Sequence, residues 1–278
     1  MQIIILLLIG GVCFFLISTL ATLIVQATID GLPISNMHAM AKHYPIPFML
    51  VFFMPFQLGF LLIPSLIYYY ILHPTPLKIT KQLNDKGALN LVWSIALFIS
   101  VFFALPFFTT INEGIIQFLG VYEELMAQKT QSDQQLINLF GPESSTEAFW
   151  LAIVLVAVLT GFAEEYFFRG FLFKHMLHHT QKKGLSVLVS GLVFALLHFN
   201  YVQFLPLVVF GITLALMYYV SGSLLPGILA HIGNNALNVY WVHNDNFPAW
   251  METMYLEITI PSTLVLMGLV YYKRSIFS

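Results

Sequence analysis

The stretch FWLAIVLVAVLTGFAEEYFFRG, residues 149–170, joins a continuous apolar run to three charged side chains. The run is uninterrupted as far as Leu159, and two adjacent carboxylates and a guanidinium follow it, those of Glu164, Glu165 and Arg169. A charged side chain near the middle of a bilayer costs between about 3 and 10 kcal/mol. The stretch therefore predicts a transmembrane helix whose charged groups are retained for a function.

The composition of the whole chain extends this prediction to the entire protein. Of its 278 residues, 59% are hydrophobic and 9% are charged, whereas a soluble domain typically carries about 25% charged residues. The sequence thus predicts an all-α polytopic membrane protein embedded in a lipid bilayer. The formal net charge is -2 and no block of basic residues occurs, so no nucleic-acid partner is expected.

The N-terminal apolar run, residues 1–26, contains the single cysteine of the chain, Cys13. One cysteine can form neither an intrachain disulfide nor a cysteine-based metal site. The run has no basic residue at its start and is as long as a membrane span. We interpret it as an uncleaved first helix, and a signal peptide is the less favoured alternative.

The apolar runs predict about eight transmembrane helices, because a span needs about 20 apolar residues. They cover approximately residues 2–26, 47–72, 88–112, 148–172, 185–200, 202–220, 223–242 and 254–272. A polar insert between the third and fourth has the composition of a surface helix. We divide the chain into an N-terminal transmembrane region, a catalytic helical core and a C-terminal loop with the last helix, at residues 1–147, 148–242 and 243–278.

The positions of lysine and arginine predict the orientation, because cytoplasmic loops retain these residues and exported loops do not. With the N-terminus inside, only Lys42 and Lys129 fall in outer loops. The residues that become cytoplasmic are Lys78, Lys81, Lys86, Lys174, Lys182, Lys183, Lys273 and Arg274. Both termini are therefore expected to be cytoplasmic, and the membrane to be the plasma membrane if the protein is bacterial.

The helical spacing of the charged residues predicts different roles for them. Side chains four apart share a helix face, so Glu165 and Arg169 can form an ion pair. Arg169 is then expected to orient Glu165, or else to bind a substrate carboxylate through two parallel hydrogen bonds. Glu164 points about 100° away from Glu165 and is left as a buried carboxylate suited to act as a general base. The alternative is a charge cluster that only fixes helix packing.

Two further patterns place polar side chains in apolar helices. FALLH puts Phe194 and His198 on one face of the predicted fifth helix, and HIGNN puts His231 and Asn235 on one face of the seventh. A lone histidine is often a satisfied core residue, but polar groups on three membrane helices are best satisfied against one another. We therefore expect a conical intramembrane active-site cavity that holds water and opens to the cytoplasm.

Depth along the predicted helices tests whether these groups can meet. At a rise of 1.5 Å per residue, Glu164 lies about 15 Å and His231 about 12 Å from the cytoplasmic edge. His198 lies about 21 Å from that edge, so the fifth helix must start late, tilt or bend. Four small residues are expected to permit close helix approach: Gly161 and Ala163 beside the carboxylates, and Gly227 and Gly233 near His231.

These residue types suit the hydrolysis of a peptide bond. The reaction needs a base that takes a proton from water and donors aimed at the oxyanion that develops on the carbonyl. We assign the base to Glu164. His198 can share the water or relay its proton, while His231 and Asn235 can form the oxyanion hole.

The three patterns together resemble those of the CPBP (ABI) family of intramembrane proteases, which includes the type II CAAX prenyl proteases. The motifs are EExxxR, FxxxH and HxxxN, in this order on successive helices: Glu164, Glu165 and Arg169; Phe194 and His198; His231 and Asn235. The resemblance covers about residues 148–242. It implies a glutamate-dependent intramembrane endopeptidase that acts on a membrane-associated protein or peptide, with the roles assigned above.

Several alternatives to this function stay open. One alternative is a zinc-dependent version of the same protease. The sequence contains no HExxH motif, and Asn235 would be a poor zinc ligand, so no cofactor is expected. HMLHH at residues 175–179 resembles an interfacial segment, and SGS at 221–223 lacks the context of a serine nucleophile. A non-enzymatic membrane scaffold or immunity protein and a proton-coupled transporter are the other classes.

Overall fold

The computed structural model describes residues 2–68, 71, 85–247 and 255–272. Every regular element within these ranges is a helix, which confirms the predicted all-α class. The helices are numbered here α1 (Gln2–Thr28), α2 (Met37–His43), α3 (Pro45–Ile67), α4 (Asp85–Phe118), α5 (Tyr122–Phe140), α6 (Thr146–Thr180), α7 (Lys183–Leu196), α8 (Phe204–Ser221), α9 (Leu225–Asn244) and α10 (Tyr255–Tyr272).

Within the described ranges, five segments are long and apolar enough to cross a membrane. They are Ile4–Thr28, Pro45–Ile67, Gly87–Phe118, Thr146–Thr180 and Tyr201–Ser221. Two shorter apolar helices, Lys183–Leu196 and Glu257–Tyr272, accompany them. These segments confirm a polytopic membrane protein, and the total of about eight spans stays a prediction. α9 is less apolar because it carries the histidine and asparagines of the third motif.

Local hydrogen bonds explain where α6 begins and ends. The Ser145 hydroxyl accepts a hydrogen bond from the Ala148 backbone N–H at 3.2 Å and caps the N-terminus. At the other end, Gln181 adopts a left-handed conformation with φ of 55° and donates its N–H to the Leu177 carbonyl. α6 is therefore longer at both ends than the predicted span of 148–172.

The predicted fifth helix, 185–200, differs from the structure at its C-terminal end. α7 ends at Leu196, and His198 lies in the turn that follows, so its placement on that helix was wrong. The backbone N–H groups of His198 and Phe199 bond three residues back, each at 3.2 Å, and Phe199 has a φ of 51°. This tight turn ends the helix although the sequence is still apolar, and the helical rise does not fix the depth of His198.

The chain divides into two compact units, each assembled from separate stretches of sequence. The first unit comprises residues 1–77, 131–167 and 231–247, and the second comprises 78–130, 168–230 and 248–278. The boundary within α6 follows Phe167. The three-region division made from the sequence stays a prediction.

In the first unit, α3 packs against α1 through a close contact at Gly59. A Cβ atom on Gly59 would lie 2.6 Å from the Phe14 backbone nitrogen, so only glycine fits there. The Phe56–Leu62 segment of α3 also packs against the Thr160–Glu165 segment of α6. The first unit thereby places the segment that carries the two adjacent glutamates beside the middle of α3.

In the second unit, α8 packs against both α7 and α4, and α4 also packs against α10. α7 and α8 touch backbone to backbone, because a Cβ atom on Gly211 would lie 2.9 Å from the Gly191 Cα. The Asn112 side chain on α4 is buried and binds the loop that precedes α8. It donates to the Tyr201 and Val202 carbonyls at 2.9 Å and accepts from the Leu205 N–H at 3.1 Å. This loop follows directly after His198.

Candidate active site

The two adjacent carboxylates lie on a short stretch of α6, Thr160–Glu165. Segments with wider, π-type hydrogen bonding flank it on both sides, at Ile153–Leu159 and Tyr166–Phe173. Such segments occur frequently at functional sites. Glu164 is 6% exposed and Glu165 is fully buried. Burial of two neighbouring carboxylates is costly unless polar groups surround them, so their partners define the site.

The imidazole of His231 meets both carboxylates within the first unit. Its Nδ1 lies 3.1 Å from Glu165 Oε1, and its Nε2 lies 3.7 Å from Glu164 Oε2. Since a carboxylate accepts and an imidazole N–H donates, the bond to Glu165 fixes the orientation of the ring. Glu164, Glu165 and His231 form a compact acid–base cluster, which we call the carboxylate cluster.

Asn235 lies one turn beyond His231 on α9 and is half-buried. Its Nδ2 donates to the Val156 carbonyl at 3.2 Å, while its Oδ1 accepts from Asn234 at 3.3 Å. An amide nitrogen carries two hydrogens, so the bond to Val156 leaves one hydrogen for another acceptor. The structure thus holds the amide of Asn235 in a defined position next to the cluster-bearing helix.

Close packing between α6 and α9 sets the geometry of the carboxylate cluster. A Cβ atom on Gly161 would lie 2.7 Å from Ile232 Cγ1 and 3.0 Å from the Ile232 nitrogen. The close approach predicted at Gly161 is therefore confirmed. The same prediction for Gly233 was wrong, because a Cβ atom there would meet no atom within 4 Å.

Alanine substitution at Gly161 tests this packing, and the same substitution at Gly233 is the control. Gly161→Ala is expected to lower the free energy of unfolding by about 1–3 kcal/mol, since the new methyl overlaps the backbone of α9. It should also impair activity, because Ile232 is adjacent to His231. Gly233→Ala should leave both unchanged or raise stability by up to about 1 kcal/mol. Denaturation in mild detergent compares the two, and equal stability of both variants would contradict the packing argument.

In the second unit, Arg169 is fully buried within a polar and aromatic setting. Its Nη2 donates to the Gly211 carbonyl at 2.7 Å. The guanidinium carbon lies 5.0 Å from the Phe194 ring centroid and 5.6 Å from that of Phe168, which are cation–π distances. The aromatic residue of the FxxxH motif therefore packs against the arginine of the EExxxR motif. The ion pair between Arg169 and Glu165 stays a prediction.

His198 belongs to the same aromatic group. Its ring lies 4.4 Å from the Phe194 ring, centroid to centroid, and its Nδ1 lies 2.7 Å from the Phe194 carbonyl oxygen. A carbonyl only accepts, so Nδ1 carries the hydrogen and Nε2 is the basic nitrogen of the neutral ring. The structure thus assigns the tautomer of His198, while its predicted meeting with Glu164 stays a prediction.

Two features weighed as rival sites have structural partners of their own. The His175 and His179 rings lie 4.3 Å apart, centroid to centroid, at the end of α6. Among the described residues, no three or more His, Cys, Asp or Glu side chains group as metal ligands would. The Ser221 hydroxyl donates to the Ser223 carbonyl at 3.0 Å within the turn that ends α8.

The structure is that of a helical membrane protein with a buried cluster of two glutamates and a histidine. Residues 146–237 match the family model described as type II CAAX prenyl endopeptidase, Rce1-like. This match confirms, over that segment, the resemblance carried by the three motifs. The segment contains every predicted site residue. No curated protein and no solved structure matches the chain significantly.

Proposed function

We propose that this protein is an intramembrane endopeptidase that hydrolyses peptide bonds of membrane-associated or CAAX-like protein and peptide substrates. The observation that carries the proposal is the contact of the His231 ring with both Glu164 and Glu165. These residues lie inside the segment that matches the endopeptidase family. A buried carboxylate beside an oriented imidazole is suited to general-base activation of water.

In the proposed mechanism, Glu164 takes a proton from water as the water oxygen attacks the scissile carbonyl. Glu165 accepts a hydrogen bond from His231 Nδ1 and holds the ring so that Nε2 lies beside Glu164. In the doubly protonated form of His231, in which both ring nitrogens donate, the Nε2–H and the second amide hydrogen of Asn235 are assigned to the oxyanion, where preorganised donors act most strongly. When the tetrahedral intermediate collapses, Glu164 returns its proton to the leaving amine.

His198 and Arg169 complete the proposed machinery. With its Nδ1 hydrogen bound to the Phe194 carbonyl, His198 has Nε2 as the nitrogen that shares the attacking water or relays its proton. Arg169 is assigned to orient Glu165. Its full burial and its bond to the Gly211 carbonyl favour this positioning role over direct binding of a substrate carboxylate.

A cleavage assay tests the proposed activity and its independence of metal. The purified full-length protein is expected to cleave at least one member of a panel of membrane-tethered and prenylated peptides. Because the carboxylate alone is proposed to activate water, EDTA or phenanthroline should change the rate by less than about twofold. Loss of activity on chelation, with recovery on return of zinc, would replace this mechanism with the zinc-dependent one. Failure with every peptide would favour the scaffold function.

Cysteine labelling tests the proposed orientation, with both termini in the cytoplasm. In a Cys13→Ser background, Lys182→Cys is expected to react only from the cytoplasmic side and Ser132→Cys only from the outside. Both positions are exposed in the structure, so either cysteine should be reachable by a polar maleimide. Lys81, which has the same predicted side as Lys182, lies outside the described residues. Labelling of both cysteines from one side would contradict the proposed topology.

A further inference from the structure

Gln57 is a buried polar residue in the middle of an apolar transmembrane helix, and the mechanism above does not use it. It lies on α3 and is 4% exposed. Its side-chain oxygen is buried without a hydrogen-bond partner among the residues that the structure describes. A buried amide oxygen costs free energy unless a protein group, water or ligand satisfies it. The position of Gln57 therefore points to a polar ligand beside α3.

The packing of α3 indicates which neighbour Gln57 faces. Gly59 contacts the backbone of α1 at Phe14, and side chains two residues apart point to nearly opposite sides of a helix. Gln57 therefore lies on the side turned away from that contact. Apart from α1 and its own neighbours in sequence, Phe56–Leu62 packs against Thr160–Glu165, the segment of α6 that carries the carboxylate cluster.

The chemistry of an amide suits this location. Its nitrogen donates two hydrogen bonds and its oxygen accepts, so one side chain can hold a water molecule that also donates to a carboxylate. An ionised carboxylate offers only acceptors. A water held by Gln57 would thus have its oxygen lone pair and its hydrogens oriented at the same time. A buried apolar side chain at position 57 has no such capacity.

We infer that Gln57 is a further water-binding residue of the carboxylate cluster, with its side-chain amide positioning the water that Glu164 activates. The inference has a catalytic part, the role of Gln57 in activating water, and only this part rests on the proposed function. Its structural part, a shared water between Gln57 and Glu164, holds whether or not a peptide substrate is found. The two parts are therefore tested by separate measurements on the full-length protein.

The structural part is tested by a double-mutant cycle on the unfolding midpoint in mild detergent. Gln57→Met and Glu164→Gln are measured singly and together, and their effects are expected to be non-additive because both side chains bind one water. Ser65→Ala is the matched control. Ser65 is equally buried on α3, but its hydroxyl donates to the Leu61 carbonyl of its own helix at 2.6 Å. Its combination with Glu164→Gln should be additive.

The catalytic part is tested with any peptide that the wild-type protein cleaves. Gln57→Met is expected to lower kcat about tenfold or more and to leave KM within about twofold, since it removes a group that orients the water and not one that binds substrate.

The outcomes separate this inference from the proposed function. Additive effects of Gln57→Met and Glu164→Gln would overturn the shared water, even if the protein is an active protease. Non-additivity together with the loss in kcat supports both parts. A rise in KM with unchanged kcat would overturn the water-positioning role in favour of substrate contact. If Glu164→Gln leaves proteolysis intact, the proposed function fails, and the cycle still decides whether Gln57 and Glu164 share a water.

Discussion

Glu164→Gln is expected to reduce the rate of peptide cleavage by at least about 10²–10⁴-fold, the usual contribution of a general base. Glutamine keeps the shape of the side chain but cannot take a proton from water. The Oε2 of Glu164 lies 3.7 Å from Nε2 of His231, a distance that an amide of the same shape can keep. The measurement is the single-turnover cleavage rate of the purified variant, with its unfolding midpoint recorded alongside.

A second substitution of the same kind serves as the control for this prediction. Glu143 is an exposed acid that precedes α6, and Glu143→Gln should retain the wild-type rate. Glu165→Gln is expected to fall between the two, because it weakens the bond that orients His231 and leaves the base in place. If Glu164→Gln kept more than about a tenth of the wild-type rate, Glu164 would not be the base.

The sequence was sufficient to predict the parts of the site that follow from local helical spacing. The burial of Glu164 and Glu165 followed from charges within an apolar run, and the close approach at Gly161 from a small residue beside them. The meeting of α6 with α9 followed from a simple energetic argument, since polar groups on separate membrane helices are best satisfied against one another. His231 indeed lies against both carboxylates.

Other features of the site depend on contacts that no local pattern encodes. Arg169 donates to the backbone carbonyl of Gly211, and every residue type carries such a group. Asn112, the last residue of the predicted third span, is buried because the loop before α8 supplies two acceptors and one donor for its amide. His198 lies outside its helix because of a turn at Phe199, whose backbone conformation the apolar sequence does not reveal.

The burial of Arg169 leads to the second large effect. Arg169→Met is expected to lower the free energy of unfolding by about 3–5 kcal/mol, the range for removing one partner from a buried charged group. The substitution leaves the Gly211 carbonyl without its donor and removes the cation from the Phe168 and Phe194 rings. If Arg169 pairs with Glu165 as the sequence predicts, the substitution also leaves that carboxylate without its partner. Chemical denaturation in mild detergent measures the change.

Two further variants separate the contribution of the planar guanidinium geometry of Arg169 from that of its positive charge. Arg169→Lys keeps the charge but loses the planar guanidinium, so its stability should lie between those of the wild type and Arg169→Met. Lys182→Met is the matched control, because Lys182 is an exposed basic residue beyond the end of α6, and its loss should change stability by less than about 0.5 kcal/mol. Since the ring of Phe194 also packs against His198, Arg169→Met should reduce cleavage even under conditions where the variant stays folded. Wild-type activity in a folded Arg169→Met protein would show that neither Glu165 nor His198 depends on the arginine for its position.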